Sequence, residues 1–243
     1  MKTSFSAFII ALAIIIAAYL FAGAWKKTHN TSETINVTGM AKKDFSSDLI
    51  VWKGSFSRKA YVIKEAYTQI KKDADIIKAY LIGKGVNEKE IVFSSVTINK
   101  DFKMAYNKEG METSSYPDGF TLMQAVTIES KEVDKIEKIS REVTELIDSG
   151  VEFYSSHPEY YYTKLAELKI EMLANATKDG YTRASKIAEN ADSKIGNLRN
   201  ASMGIFQITA QNSSENYSWG GTFNTASKRK SASVTVKLEF DVK

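Results

Sequence analysis

The pattern of apolar and polar positions changes period several times along residues 34–243. Alternation in steps of two, rich in β-branched residues, predicts strands. Steps of three and four between apolar residues predict amphipathic helices. Strands at both ends with helices between them favour an α+β fold, a mainly antiparallel sheet covered by amphipathic helices. The predicted strands cover 34–38, 48–57, 91–102, 120–130, 199–211 and 228–242, with another from Val151, and the predicted helices cover 63–81, 133–147 and 163–191.

A weak internal repeat follows the first two predicted helices. Gly85-Val86 precedes a strand that contains Phe93-Ser94-Ser95, and Gly150-Val151 precedes Phe153-Tyr154-Ser155-Ser156. The repeat is either a coincidence, because Gly-Val after a helix is common, or the mark of two β-α-β-like units in a shared sheet.

Glycine and polar segments separate or interrupt these elements. Residues 103–118 are predicted to form a polar loop with Gly110 and Pro117, and residues 212–225 a turn-rich link. Gly180 lies in the middle of the last predicted helix, where glycine costs about 1 kcal/mol relative to alanine. Close backbone packing would offset that cost, and a kink is the alternative.

The amino-terminal segment is apolar. Residues 3–25 contain no charged side chain. As a helix they would extend about 35 Å, more than the roughly 30 Å of a bilayer core. Residues 1–25 are therefore predicted to be a retained membrane anchor, in contact with lipid through residues 5–25. A signal peptide cleaved near 22–24 and a buried core helix are the alternatives. Residues 26–33 read as a polar tether, followed by one α+β domain over 34–243.

The composition removes several classes of protein. The chain has no Cys, which excludes disulfide frameworks, cysteine nucleophiles and zinc ribbons. Its 33 Lys and Arg against 29 Asp and Glu give a net charge of +4 that is spread along the sequence. A nucleic-acid binder usually concentrates its cations, so no nucleic-acid partner is expected.

Catalytic signatures are missing from the sequence. It contains no phosphate-binding glycine loop, no H-E-x-x-H zinc motif and no G-x-S-x-G nucleophile motif. Of its two histidines, His29 lies in the tether and His157 in a turn, so a hydrolase would have to use His157. The carboxylates between 129 and 145 alternate with Lys and Arg, which is typical of a solvated helix face. We therefore expect a protein that is not an enzyme and has no metal or cofactor.

A set of aromatic residues falls in predicted turns and loops rather than at core spacing. Such residues either form an interaction surface or pack locally at the ends of the sheet. A basic cluster, Lys228-Arg229-Lys230, is read as a solvated strand end rather than a phosphate site. The aromatic candidates are Tyr160, Tyr161, Tyr162, Tyr217, Trp219 and Phe223.

The order of motifs along 34–243 resembles the SIMPL-domain family, also called domain of unknown function 541. Each motif is ordinary alone, and the resemblance depends on their order. They are Ile35-Asn-Val-Thr-Gly39, Gly83-Lys-Gly-Val86 with Ile91, Gly119-Phe120 with Val126-Thr-Ile128 and Val133-Asp-Lys-Ile136, the helix residues Lys164-Leu165, Ala176, Asp179, Arg183-Ala184 and Ile187-Ala188 with Ile195-Gly196, and Ser233-Val-Thr-Val236.

The resemblance implies a role in the cell envelope without catalytic residues to carry over. Bacterial members are similar to periplasmic or outer-membrane immunogenic proteins, some of which form ring-like or channel-like oligomers or support stress tolerance. We therefore expect a non-enzymatic homo-oligomeric scaffold or channel-like assembly, anchored in a bacterial inner membrane with its domain in the periplasm. Secretion to the periplasm after signal cleavage is the alternative location. The alternative function is a periplasmic binding module for a small apolar ligand or an unfolded envelope protein.

Overall fold

The computed structural model describes residues 12–23, 25, 33–106 and 110–243. Residues 12–23 form a helix, α1. Among the described residues, no helix is both long and apolar enough to cross a bilayer. Part of the predicted membrane or signal segment, 1–25, and nearly all of the predicted tether, 26–33, lie outside the described residues. Both assignments therefore stay predictions.

From residue 34 onward the described chain alternates strands with three long helices. The helices are α2 (Ile63–Gly83), α3 (Val133–Glu142) and α4 (Leu165–Asn190), and short 3-10 helices cover Glu88–Glu90 and Val143–Ser149. The strands are β1 (Thr34–Ser46), β2 (Leu49–Ala60), β3 (Ile91–Phe93), β4 (Thr97–Tyr106), β5 (Glu112–Ser130), β6 (Phe153–Ser155), β7 (Glu159–Tyr161), β8 (Ile195–Met203), β9 (Gln207–Ala210) and β10 (Arg229–Val242).

The chain divides into two compact units. The first contains the described residues up to Met40 together with Asn175–Gly204 and Thr235–Lys243. The second contains Ala41–Ala174 and Ile205–Val234.

The second unit is built on an antiparallel sheet with the strand order β3-β5-β2-β6, in which β4 also pairs with β5 and β7 with β2. Both β2 and β3 run antiparallel to β5, so β2-α2-β3 is a β-α-β unit split by β5. In the same way, β5-α3-β6 is split by β2. Of the two explanations of the repeat, two β-α-β-like units in a shared sheet is therefore the correct one.

The core of the second unit lies between one face of this sheet and the two helices α2 and α3. Period two brings every second residue of β2 and β5 to that face, and steps of three and four bring one stripe of each helix to meet it. This confirms an antiparallel sheet covered by amphipathic helices. The core includes Ile50, Trp52, Phe56, Leu122, Val126 and Ile128 from the strands and Ala66, Ile70, Ile77, Leu81, Ile136 and Ile139 from the helices.

In the first unit, β10 lies between β1 and β8 and runs antiparallel to β8. The backbone N–H of Val242 donates to the carbonyl of Glu33 at 2.9 Å. The residues of α4 in this unit run through Gly180 without a break. A β-carbon on Gly180 would lie 2.7 Å from Cδ1 of Leu238. Of the two explanations for this glycine, close packing is therefore the correct one.

The predicted polar loop at 103–118 is wrong. Apart from Gly110 and Met111, its described residues, which exclude 107–109, belong to the paired strands β4 and β5, with Lys103 opposite Tyr116 and Met104 opposite Ser115. Most of these residues are exposed on both faces of the hairpin, so little alternation of apolar and polar residues marks them. Cross-strand pairing rather than burial keeps them extended.

Two other predicted elements are divided in the structure. The strand over 199–211 is interrupted after Met203, where the N–H of Gly204 donates to the carbonyl of Thr235 at 2.8 Å. The helix over 133–147 changes to a 3-10 helix at Val143 and ends at Gly150, whose φ of 75° only glycine adopts readily. Sequence periodicity does not distinguish the two helix types over a segment of about two turns.

Candidate functional site: an exposed ribbon and an aromatic loop

A two-stranded ribbon extends beyond the six-stranded sheet of the second unit. It consists of residues 101–106 of β4 and 112–119 of β5, which pair only with each other among the described residues, whereas β5 pairs with β2 from Phe120 onward. An isolated two-stranded hairpin is only marginally stable in water. A ribbon of this kind therefore needs further stabilisation, either from contacts within the chain or from a partner.

One face of the ribbon carries a row of exposed apolar side chains. Because side chains alternate along a strand, Phe102, Met104 and Tyr106 point to the same face of β4. Phe102 is 54% exposed and Tyr106 60% exposed. The ammonium group of Lys100, on the same face, lies 5.3 Å from the centre of the Phe102 ring. Apolar rows exposed in this way are typical of interaction surfaces.

The two long edges of the ribbon differ. Both register shifts place an extra residue on β5: three steps from Phe120 to Pro117 face two steps on β4, and two steps from Ser114 to Glu112 face one. Bulges and proline discourage further strand pairing. The alternation of β4 is unbroken, and β4 pairs with β5 alone among the described residues. The outer edge of β4 is thus a regular, unpaired edge.

A charged cluster holds the base of the ribbon against β2. The ammonium group of Lys59 lies 2.6 Å from Oδ2 of Asp118 and 3.2 Å from Oδ2 of Asp101. The hydroxyl of Thr121 donates to the same Asp101 oxygen at 2.6 Å. This hydrogen bond, followed by Lys59, holds the pKa of Asp101 below its ordinary value. Because all these groups are partly exposed, the cluster contributes more to the direction of the ribbon than to stability.

Gly119 sets the geometry at the same point. Its φ is 97°, and a β-carbon there would lie 2.6 Å from the carbonyl oxygen of Ala60. Any other residue would be strained and would meet the backbone of β2. The backbone conformation of Gly119 therefore sets the direction in which the ribbon extends from the sheet.

The structure separates the six aromatic residues that the sequence singled out. Tyr160 lies in β7, is only 6% exposed and belongs to the core of the second unit, so its assignment to an interaction surface is wrong. The strand β7 pairs with β2, and this pairing points Tyr160 to the same face as Ile50. Burial raises the pKa of its phenol.

The two neighbouring tyrosines are half-buried and pack locally. The ring centres of Tyr161 and Phe223 are 6.5 Å apart, and those of Tyr162 and Phe45 are 4.8 Å apart. The hydroxyl of Tyr161 donates to Glu159, which raises the pKa of this phenol. Of the two explanations for these aromatics, local packing at the end of the sheet accounts for this pair.

Tyr217 and Trp219 lie on the loop between β9 and β10, and both are exposed. Trp219 is 97% exposed and Tyr217 68%. The buried side chain of Gln207 fixes this loop: its amide nitrogen donates to the carbonyl of Ser218 at 2.8 Å, and its oxygen accepts from the N–H of Thr222 at 2.8 Å. Trp219 is thus a solvent-facing ring on a well-held turn.

The three residues of the basic cluster lie in three different environments. The ammonium group of Lys228 pairs with Asp134 and Glu137, and Arg229 is exposed. Lys230 is 1% exposed, and its ammonium group donates to the carbonyl of Asn224 at 2.5 Å. Burial lowers the pKa of Lys230 to about 8, against the opposing effect of Glu215. The cluster is therefore not one phosphate-binding unit.

Catalytic candidates are sparse in the part of the chain that the structure describes. His157 is exposed between β6 and β7 and makes no hydrogen bond or ion pair with another described residue. His29 lies outside the described residues. No group of three or more His, Asp or Glu side chains among residues 12–23, 25, 33–106 and 110–243 could hold a metal ion.

Sequence reasoning singled out Tyr217 and Trp219, which are exposed, but missed the ribbon. Phe102 and Met104 lie in a segment that was assigned partly to a strand and partly to a loop. The one available signal was Phe102-Lys103-Met104-Ala105-Tyr106, in which larger apolar residues alternate with Lys and Ala.

The comparison with known families covers almost the whole chain beyond the apolar segment. The family model described as SIMPL, protein of unknown function (DUF541), matches residues 35–241. No curated protein matches the chain. The match includes the second compact unit with its ribbon and most of the folded part of the first unit. The chain therefore belongs to the SIMPL (DUF541) family of proteins of unknown function.

Proposed function

We propose that this protein is a non-enzymatic component of a bacterial cell envelope that self-associates as a scaffold or channel-like assembly. In this proposal the apolar segment within residues 1–25 anchors it in the inner membrane, and the folded part lies in the periplasm. The role depends on surfaces rather than on a reactive centre.

The observation that carries this proposal is the ribbon. Its apolar row is exposed and its β4 edge is regular and unpaired. Natural sheets normally cover or disrupt such edges, because they recruit other strands. The edge on β5 is disrupted by two register shifts and by Pro117, whereas the edge on β4 is left open. Pairing between subunits is one way to cover an open edge.

The mass of the native full-length chain in mild detergent tests self-association. We expect a defined oligomer at micromolar concentration, measured by mass photometry or native mass spectrometry. The double variant Phe102→Ser, Met104→Ser should dissociate it. Tyr154→Ser removes an exposed ring from β6, outside the ribbon, and is the control that should leave the mass unchanged. A wild-type protein that stays monomeric up to tens of micromolar would overturn the proposal.

The proposed location has its own test. Protease added to intact spheroplasts should degrade the folded part while cytoplasmic marker proteins survive. The intact mass of the same protein shows whether residues 1–24 are retained, which separates an anchor from a cleaved signal. Protection from protease until the inner membrane is opened would place the domain on the other side.

Trp219 favours a second candidate function, a binding module for a small apolar ligand or an unfolded envelope protein. Its ring is 97% exposed on a loop that Gln207 holds in place. The test is suppression of aggregation of a thermally unfolding client protein. Loss of this activity in the Trp219→Ala, Tyr217→Ala double variant, with unchanged oligomer mass, would favour binding over self-association. Tyr154→Ala is again the control.

A further inference from the structure

We infer that β4 pairs with β4 of a second copy of this chain, antiparallel, about a two-fold axis through Phe102. The inference rests on the proposed self-association and specifies its contact. It follows from the free edge of β4 and from the charges along Thr97–Tyr106.

Symmetry and hydrogen bonding restrict the register. A two-fold axis that extends a sheet by antiparallel pairing places residue i opposite residue j of the other copy and j opposite i. Directly opposed residues must both direct their backbone groups either into or out of the new ladder. The backbone groups of successive residues point to opposite edges of a strand, so i and j must differ by an even number on one unbroken strand. The axis therefore passes through a residue and not between two residues.

The length of the strand leaves two long registers. An axis through Asp101 pairs residues 97–105 with themselves, and an axis through Phe102 pairs residues 98–106. Axes further along the strand pair fewer residues. Those through Lys100 and Lys103 also place a lysine opposite its own copy.

Charge selects between the two long registers. An axis through Asp101 would place this carboxylate directly opposite its own copy, and like charges in that position are destabilising. An axis through Phe102 places Asp101 opposite Lys103 of the other copy, twice by symmetry. Both side chains point to the face away from the apolar row. The charges of β4 are therefore self-complementary in this register alone among the long ones.

The apolar row is continuous in the same register. Phe102 lies opposite its own copy, and Ile98 lies opposite Tyr106 of the other copy. Aromatic and β-branched cross-strand pairs of this kind stabilise antiparallel ladders. Lys100 lies opposite Met104, where its methylene stem can pack. Lysine on an edge strand normally discourages indiscriminate pairing, so Lys100 and Lys103 also select against other strands.

Disulfide cross-linking tests the register, because the chain contains no Cys. In the full-length protein in mild detergent, a mixture of the Asn99→Cys and Ala105→Cys variants should cross-link under mild oxidation, since these positions are opposed. Neither variant should cross-link with itself, because six residues along a strand separate the two copies of each position by about 20 Å. A disulfide needs Cα atoms within about 7 Å.

Two further variants separate the possible outcomes. Phe102→Cys should cross-link with itself, whereas Asp101→Cys should do so only with the axis through Asp101. If Phe102→Cys weakens the contact, the mixture of 99 and 105 variants still reports the register. An oligomer without the 99–105 cross-link overturns this inference and leaves self-association standing. A monomer overturns both.

A charge variant provides an independent measurement. Lys103→Glu places two pairs of like charges across the axis and should weaken association about tenfold at low salt. Lys103 makes no ion pair within the described part of one copy, so its replacement leaves the fold intact. Lys72→Glu on the exposed face of α2 makes the same change of charge and should have no effect. Equal dissociation constants for the two variants would overturn the inference.

Discussion

Gly39 of β1 and Gly180 of α4 lie in direct backbone contact. A β-carbon built on Gly39 would lie 2.5 Å from the backbone nitrogen of Gly180 and even closer to the carbonyl oxygen of Ala176. Both obstacles are backbone atoms that cannot move without shifting the helix. The absence of two side chains therefore sets how closely this helix approaches the strand.

Gly39→Ala should cost about 3 kcal/mol in the free energy of unfolding, at the upper end of overpacking effects. Gly180→Ala should cost less, about 1 kcal/mol, because it gains helix propensity and its β-carbon meets the movable side chain of Leu238. Denaturant unfolding measures both. Gly83→Ala at the end of α2, where a β-carbon meets nothing within 4 Å, is the control and should not destabilise. Equal losses at 39 and 180 would contradict this account.

Arg58 and Asp73 should contribute more to stability than the surface ion pairs. Arg58 on β2 donates through Nε to Oδ2 of Asp73 on α2 at 2.5 Å and through Nη2 to Oδ1 at 2.9 Å, and Asp73 is 4% exposed. Asp73→Ala should cost about 2–3 kcal/mol, because it leaves a half-buried guanidinium without its carboxylate. Arg58→Lys should also destabilise, since a lysine cannot make the two-pronged contact.

The control for this pair is Lys186→Ala. It removes an exposed ion pair with Glu189 on α4 and should change the free energy of unfolding by less than about 0.5 kcal/mol. Chemical denaturation at neutral pH compares the three variants. Wild-type stability in Arg58→Lys would show that a single charge is enough at this position.

Lys230 should make stability rise with pH in the alkaline range. Its pKa in the folded protein is about 8, below the ordinary value of 10.5. Between these two values the unfolded chain binds more protons than the folded protein, so raising the pH favours folding by up to about 1.4 kcal/mol per pH unit. Below pH 8 both states are protonated and the stability penalty of burying the charge is present in full.

Lys230→Met isolates this effect from other groups that titrate at high pH. The free energy of unfolding of the variant minus that of the wild type should decrease steadily from pH 8 to pH 10.5, because only the wild type gains stability from Lys230 over this range. Urea unfolding at several pH values measures it. A difference that is constant over this range would mean that Lys230 keeps its ordinary pKa.

Loss of the charged cluster at the base of the ribbon should loosen the ribbon and leave the sheet intact. Lys59→Ala removes the partner of Asp101 and Asp118. Amide exchange should become faster in residues 101–106, which pair with β5 alone, and stay unchanged in 122–130. Lys53→Ala, an exposed lysine of β2 without an ion pair in the described chain, is the control. Unchanged exchange in the ribbon would show that Gly119 and strand pairing hold it without the cluster.

Elements that bury one regular face were predictable from the sequence. The helix predicted at 63–81 is Ile63–Gly83, and that predicted at 163–191 is Leu165–Asn190. In α2, the step of three or four between apolar residues directly records which side is buried. The strand predicted at 228–242 is Arg229–Val242 for the corresponding reason, with period two.

Elements held by pairing rather than by burial were not predictable. The residues of the ribbon face solvent, so their sequence carries little of the apolar alternation on which a strand prediction depends. The assignment of Tyr160 failed for a different reason, because burial depends on which strand its segment pairs with. Tyr160 and Tyr161 are adjacent in the same run of tyrosines, yet the pairing of β7 with β2 buries the first and leaves the second half-exposed.

The sequence by itself determined the α+β class and the helix faces, because these depend on local periodicity, and the order of its motifs pointed to the family through resemblance. Tertiary structure decided which edge remains open, where Lys230 is buried and how closely α4 approaches β1 at Gly39 and Gly180. These properties depend on residues far apart in the chain that meet only after folding, and no local pattern of side chains records such meetings.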